Sequence, residues 1–121
     1  MSLPVLVAVG VLGGIGSIAR FVLDGAVARR LGRDFPYGTL AVNVSGALAL
    51  GVLVGVAISG DGYRLIGTGV LGAYTTFSTW MLETHRLAED GRLRLGALNI
   101  VVSLALGVGA AWLGRRIGVA L

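Results

Sequence analysis

Apolar residues fill four stretches of the chain, at about 3–24, 37–59, 63–84 and 93–114, and polar residues collect between them. Each stretch is near the roughly 20 residues that an α-helix needs to cross a bilayer. The connections are short and rich in turn formers or charge: RRLGRDFP at 29–36, GDG at 60–62 and RLAEDGR at 86–92. Pro4 suits the first turn of the first helix. The pattern predicts an all-α membrane protein, a single domain over 1–121 with four transmembrane helices and almost nothing outside the membrane. The third stretch has its own signature. Gly67, Gly69 and Gly72, followed by Thr75 and Thr76, predict that helix 3 is broken near its middle. A break frees backbone carbonyls, which at membrane depth need protein, water or an ion. Discontinuous membrane helices use such carbonyls to hold cations.

Composition agrees with a membrane setting. The chain is 55% hydrophobic and only 13% charged, with a mean hydropathy of +0.88, whereas a soluble domain carries about 25% charged residues. There is no cysteine, which excludes disulfides and thiolate metal sites. All ten basic residues are arginine, placed between apolar runs or at their ends. That placement suits lipid headgroups and lacks the contiguous basic face that nucleic acid requires. The first run has no basic segment before it and no evident cleavage site, so it reads as a retained helix. With four crossings, Arg64, Arg115 and Arg116 fall on one side. Arg29, Arg30, Arg33, Arg86, Arg92 and Arg94 fall on the other, with Arg20 close to them. The bias puts the second side in the cytoplasm and both termini outside.

The candidate chemistry is sparse. GTGVLG at 67–72 matches a dinucleotide fingerprint, but no strand precedes it and it lies in a membrane-length run, so it carries no nucleotide. His85, the single histidine, has Glu83 nearby and reads as an interfacial residue at a helix end. No set of nucleophile, base and orienting group is visible, so the chain is not read as an enzyme. Arg20 is either an interfacial arginine reaching for headgroups or a buried structural charge. Asn43 is either a hydrogen-bonding link between helices or a donor to an anion. Small residues recur at helical spacing: Gly10 with Gly14, Gly51 with Gly55, and Gly96, Asn99, Ser103, Gly107 and Ala111 on one face. Such faces let helices approach closely, and their number suggests packing against a second copy. GAYTTFSTW at 72–80 holds four aliphatic hydroxyls and no charge. Thr75, Thr79 and Glu83 fall on one helical face, Phe77 and Trp80 on another. The hydroxyls either bond back to their own helix or form a polar track. Aromatic edges carry partial positive charge. Together with hydroxyls and an amide they replace an anion's hydration without a fixed charge to trap it.

Three segments, GGIGSIARF at 13–21, GTLAVNVSGALALG at 38–51 and GVLGAYTTFSTW at 69–80, resemble the CrcB/Fluc fluoride channels, and the resemblance covers nearly the whole chain. It implies an antiparallel, dual-topology dimer with two pores, in the cell membrane, that exports fluoride passively and lowers cytoplasmic fluoride. It implies a structural sodium ion, not transported, held by the backbone carbonyls of Gly72 and Thr75. Asn43 would donate to fluoride and Phe77 would present its ring edge. Ser78, Thr79, Glu83 and Ser103 would lie near the polar pathway, and Arg20 matches the arginine that closes the first motif. Trp80 replaces the family's usual second phenylalanine, Ala73 the second glycine of a pair, and Asn99 a frequent aromatic. The second subunit is either an identical chain or a similar sister chain, since arginine bias suits a fixed orientation. The other class considered is a small four-helix coupled transporter of the multidrug type. That class depends on a carboxylate deep in helix 1, and residues 3–23 contain none. A non-transporting assembly factor would leave the hydroxyl cluster without a role.

Overall fold

The computed structural model describes all 121 residues, Met1–Leu121. The chain is all-helical. Helix α1 spans Leu3–Leu31 and α2 spans Tyr37–Gly55. The next pass is made of pieces: α3 at Gly60–Tyr63, a π-helical segment at Arg64–Leu71, α4 at Gly72–Tyr74 and α5 at Phe77–Glu89. Helix α6 spans Leu93–Ala120. Three of these, α1, α2 and α6, are long and apolar enough to cross a membrane.

The helix ends differ from those read off the apolar runs, because hydropathy marks where lipid begins and not where hydrogen bonding stops. Helix α1 continues past Asp24 through GAVARRL, whose Ala, Arg and Leu favour helix. It stops at Gly32, which takes φ 83° while its N–H bonds Ala28 O at 2.8 Å. Helix α2 ends at Gly55, short of Ser59, where Ala57 turns to φ 60° and Ile58 N–H reaches back to Leu53 O at 3.2 Å. Helix α6 continues past Gly114 to Ala120, with Arg116 lying over the Trp112 ring at 5.7 Å. At 29 residues α1 is about 43 Å long, so part of it projects beyond a hydrocarbon core about 30 Å thick.

Packing runs through backbone surfaces more than through large side chains. Helices α2 and α6 make the most extensive contact. Gly51 and Gly55 face Ala111, Arg115 and Gly118, and Gly114 and Gly118 face Leu48 and Val52 in return. A Cβ at any of these four glycines would strike the opposite helix's backbone. Helix α1 rests on the π-helical segment through Gly13, which faces Gly69 O, and Gly16, which faces Val70 O. Gly10, Gly14 and Gly107 have open space around them, so those members of the small-residue stripes do not pack within the chain. Among large side chains only Val42 and Asn99 are fully buried. The outward faces of α1 and α6 are lined with exposed leucine, valine and isoleucine, an exterior that lipid or a partner must cover.

Candidate functional site

The site grows from two residues. Thr75 (φ −77°, ψ 158°) and Thr76 (φ −147°, ψ 123°) are extended between α4 and α5. Paired β-branched residues are poor helix formers, and both threonines use their hydroxyls where the helical bonds lapse. Thr75 Oγ1 donates to Leu71 O at 3.1 Å. Thr76 Oγ1 accepts from Thr79 N–H at 3.2 Å and so caps α5. We expect Thr76→Val to cost about 1 kcal/mol of stability through loss of this cap, measured as thermal unfolding in detergent, with α5 fraying first.

Asn43, on α2, grips the same point. Its Nδ2 donates to Thr76 O at 2.8 Å and its Oδ1 accepts from Thr76 N–H at 2.8 Å. One carboxamide therefore satisfies both backbone groups of an extended residue, as a neighbouring strand would. Asn43 is the link between helices that its sequence position allowed. An amide has two N–H donors, so one is left after the bond to Thr76. The reciprocal bonds also release carbonyls. In a continuous helix Thr76 N–H would bond Gly72 O and Thr79 N–H would bond Thr75 O. Here they bond Asn43 Oδ1 and Thr76 Oγ1 instead.

Three cavities follow this junction. The largest, about 490 Å³, is a mostly apolar cleft among α2, the π-helical segment, α5 and α6, bordered by Asn43, Thr75, Phe77, Trp80 and Ser103. A second, about 220 Å³, is bordered by Arg20, Asp24, Thr39, Thr76 and Thr79. A third, about 260 Å³, opens among the loops and is bordered by Asp24, Arg33, Glu83 and Arg86. Thr76 is common to the first two and Asp24 to the last two. The cavities thus follow α5, from its C-terminal end beside the loops at 32–36 and 90–92 to the cleft at its N-terminal end.

Most of the residues singled out in the sequence meet along this line. Phe77 is 71% exposed and stands edge-to-face with Trp80, the ring centroids 5.7 Å apart and the planes at 85°. Thr76 Oγ1 donates to Thr79 Oγ1 at 3.2 Å, which leaves the Thr79 hydrogen uncommitted beside Arg20. Ser78 Oγ approaches Thr76 Oγ1 at 3.3 Å but borders none of the three cavities. Glu83 Oε1 accepts a hydrogen bond from the Thr39 hydroxyl. Arg20 borders the middle cavity, with its Nε buried and without a hydrogen-bond partner. His85 lies outside the line, paired at 2.9 Å with Glu89 on the surface.

Thr39 and Thr84 were not anticipated. Thr39 sits one helical turn before Asn43, on the same face of α2, and that spacing was the available signal. The departures at 80 and 99 prove to be joined. Trp80 Nε1–H donates to Asn99 O at 3.2 Å, and Asn99 Nδ2 donates to Thr84 Oγ1 at 2.9 Å.

A family model, "CrcB-like protein, Camphor Resistance (CrcB)", matches residues 7–115. The chain is 56% identical over 116 residues to a protein of Mycolicibacterium paratuberculosis named fluoride-specific ion channel FluC 2, covering 96% of this chain and 95% of that one. It is 55% identical over 117 residues to the FluC 2 of Mycobacterium tuberculosis, covering 97% and 93%. It is 49% identical over 106 residues to a FluC 1 of Rubrobacter xylanophilus, covering 87% and 86%. With the family's pattern running through nearly all of its length, the chain belongs to the CrcB family.

Proposed function

We propose that the chain is a subunit of a fluoride-specific channel in the cell membrane, passing fluoride down its gradient and so limiting cytoplasmic fluoride. The observation that carries the reading is the line of cavities along α5, which leads from charged loops past hydroxyls and an amide to the exposed ring of Phe77. Relatives named fluoride-specific ion channels, at 56% and 55% identity, support it.

Fluoride is small and strongly hydrated, so its path must replace water with donors. The Thr79 hydrogen and the second Asn43 N–H are among the donors left over by the protein's own bonds, as is the Arg20 Nε–H. Beyond them Phe77 and Trp80 offer ring edges, which attract an anion weakly and let it go. Glu83, with Thr39, stands at the loop end of the line, Ser103 borders the cleft, and Ser78 stands behind it on Thr76 Oγ1. Arg20, positively charged beside the middle cavity, raises the local anion concentration.

A second copy, or a similar sister chain, is part of the proposal. The cleft beside Phe77 is open on one side, and Gly10, Gly14 and Gly107 face nothing within the chain. In an antiparallel pair the interrupted helix, broken at Thr75 and Thr76, would meet its partner's. The carbonyls of Gly72 and Thr75 lack their helical donors and fit a sodium ion as ligands. Two oxygens do not complete a cation's shell, and the same pair from a second subunit would add two more. The ion's role is to neutralise those carbonyls and fix the break, and fluoride does not pass through it.

The test is flux. Liposomes containing the purified chain and loaded with potassium fluoride are expected to release fluoride when valinomycin carries the counter-charge, and to retain chloride. A folded dimer that releases no fluoride, alone or with a sister subunit, would falsify the reading.

A further inference from the structure

Asn99 is the most deeply buried polar residue of the fold, at 1% exposure against 3% for Thr39, and it borders none of the three cavities. It sits on α6 at the centre of a hydrogen-bond network whose directions can be worked out. Thr84 Oγ1 lies 2.9 Å from Trp80 O. A carbonyl only accepts, so the single Thr84 hydroxyl hydrogen is spent there. Thr84 Oγ1 can then only accept from Asn99, 2.9 Å away, which makes that amide atom Nδ2. Nδ2 also approaches Trp80 O at 3.5 Å. The carboxamide's other end, Oδ1, is thereby turned to Ser103, whose hydroxyl donates to it across 3.4 Å, a long bond but one that nothing else in the network opposes. Ser103 does border the cleft. Trp80 completes the arrangement, because its Nε1–H is directed at Asn99 O.

We propose that Asn99 is a positioning residue for the pathway, holding the Ser103 hydrogen and, with its own carbonyl, the Trp80 indole hydrogen away from the cleft. This rests on the reading of the cleft as a fluoride path. Two groups that could each donate to an anion are so arranged that neither does. At this stretch Ser103 turns a hydroxyl lone pair to the ion, which leaves the second Asn43 N–H and the edges of Phe77 and Trp80 to attract it. Tight donors would hold the ion and slow its exit. Trp80 and Asn99, two positions where the chain departs from its family's usual residues, thus meet through the Asn99 backbone. Trp80 brings a donor that the usual phenylalanine lacks, and the backbone of Asn99 occupies it.

The experiment is a cycle at positions 99 and 103, read as fluoride efflux from proteoliposomes against fluoride concentration. Asn99→Leu removes the acceptor and frees the Ser103 hydrogen for the ion. The half-saturating fluoride concentration is expected to fall about fivefold, the worth of one modest hydrogen bond, and the maximal rate to fall with it. In a Ser103→Ala background the same substitution has no hydrogen to free, and the shift is expected to shrink to under about twofold. Thr84→Val provides the second arm with no change in bulk. Without the Thr84 acceptor the amide can flip, Nδ2 then faces Ser103, and the same Ser103-dependent shift is expected. A shift of equal size in both backgrounds overturns the proposal, since it would place the effect in packing between α5 and α6. No shift with either Asn99→Leu or Thr84→Val overturns it too. An unsubstituted chain that passes no fluoride overturns the fluoride reading, and this inference with it.

Discussion

Replacing Asn43 by leucine is expected to reduce fluoride efflux by about 100-fold, the cost of displacing the groups that line a path by an ångström or so. The substitution keeps the volume and removes the carboxamide that holds both backbone groups of Thr76 at 2.8 Å. Each group left without a partner costs about 1–3 kcal/mol, so the extended pair Thr75–Thr76 loses the interaction that fixes it on α2. The donor left for an anion goes at the same time. Asn43→Asp separates the two effects. It keeps an acceptor for Thr76 N–H, but it loses the donor to Thr76 O and adds a negative charge beside the path. The aspartate variant is expected to fold better than the leucine variant, as judged by thermal unfolding in detergent, and to conduct no better. If leucine at 43 leaves efflux within about twofold of the original rate, Asn43 neither shapes nor lines the path.

Such coupling between two distant segments is what the sequence conveys least. GAYTTFSTW announces itself by composition, because hydroxyls are conspicuous inside an apolar run and a Thr-Thr pair next to glycines is a poor helix. Thr79 and Glu83 share a face of α5 as helical spacing predicts, whereas Thr75 lies outside that helix and bonds back to Leu71 O. What Asn43 holds did not follow, since its target is a backbone group 33 residues away and no local pattern encodes a backbone partner. Trp80 and Asn99 illustrate the same limit. Each is a departure from the family pattern when taken singly, and only the packing of α5 on α6 shows that the Trp80 indole meets the backbone carbonyl of residue 99. Helix ends depart from the ends of the apolar runs for a related reason. Arg29 and Arg30 end an apolar run but favour the last turn of a helix, where cations meet its negative pole.

The glycines were legible as a class but not as individuals, and that difference sets the second large effect. Gly51→Val is expected to abolish recovery of a folded, monodisperse protein in detergent. A Cβ at 51 would fall on Ala111 O and crowd the Arg115 N–H, both backbone atoms of α6. Backbone cannot rotate out of the way as a side chain can, so α2 and α6 must separate along a contact with few large side chains to fill the gap. Overpacking of a well-packed site costs about 1–3 kcal/mol even where side chains can adjust, and here the rigid neighbour puts the cost at the upper end or beyond. Gly107→Val supplies the contrast. It lies on the same small-residue stripe of α6, yet no atom of the chain approaches it within 4 Å. A monomer should therefore tolerate valine at 107. If a second subunit covers this face, the same variant is expected to fold, run smaller than the original on size exclusion, and lose fluoride efflux. Folding with unchanged size would instead show that no second subunit packs against Gly107, which also borders the cleft, and the interface would have to be sought on the faces of Gly10 and Gly14.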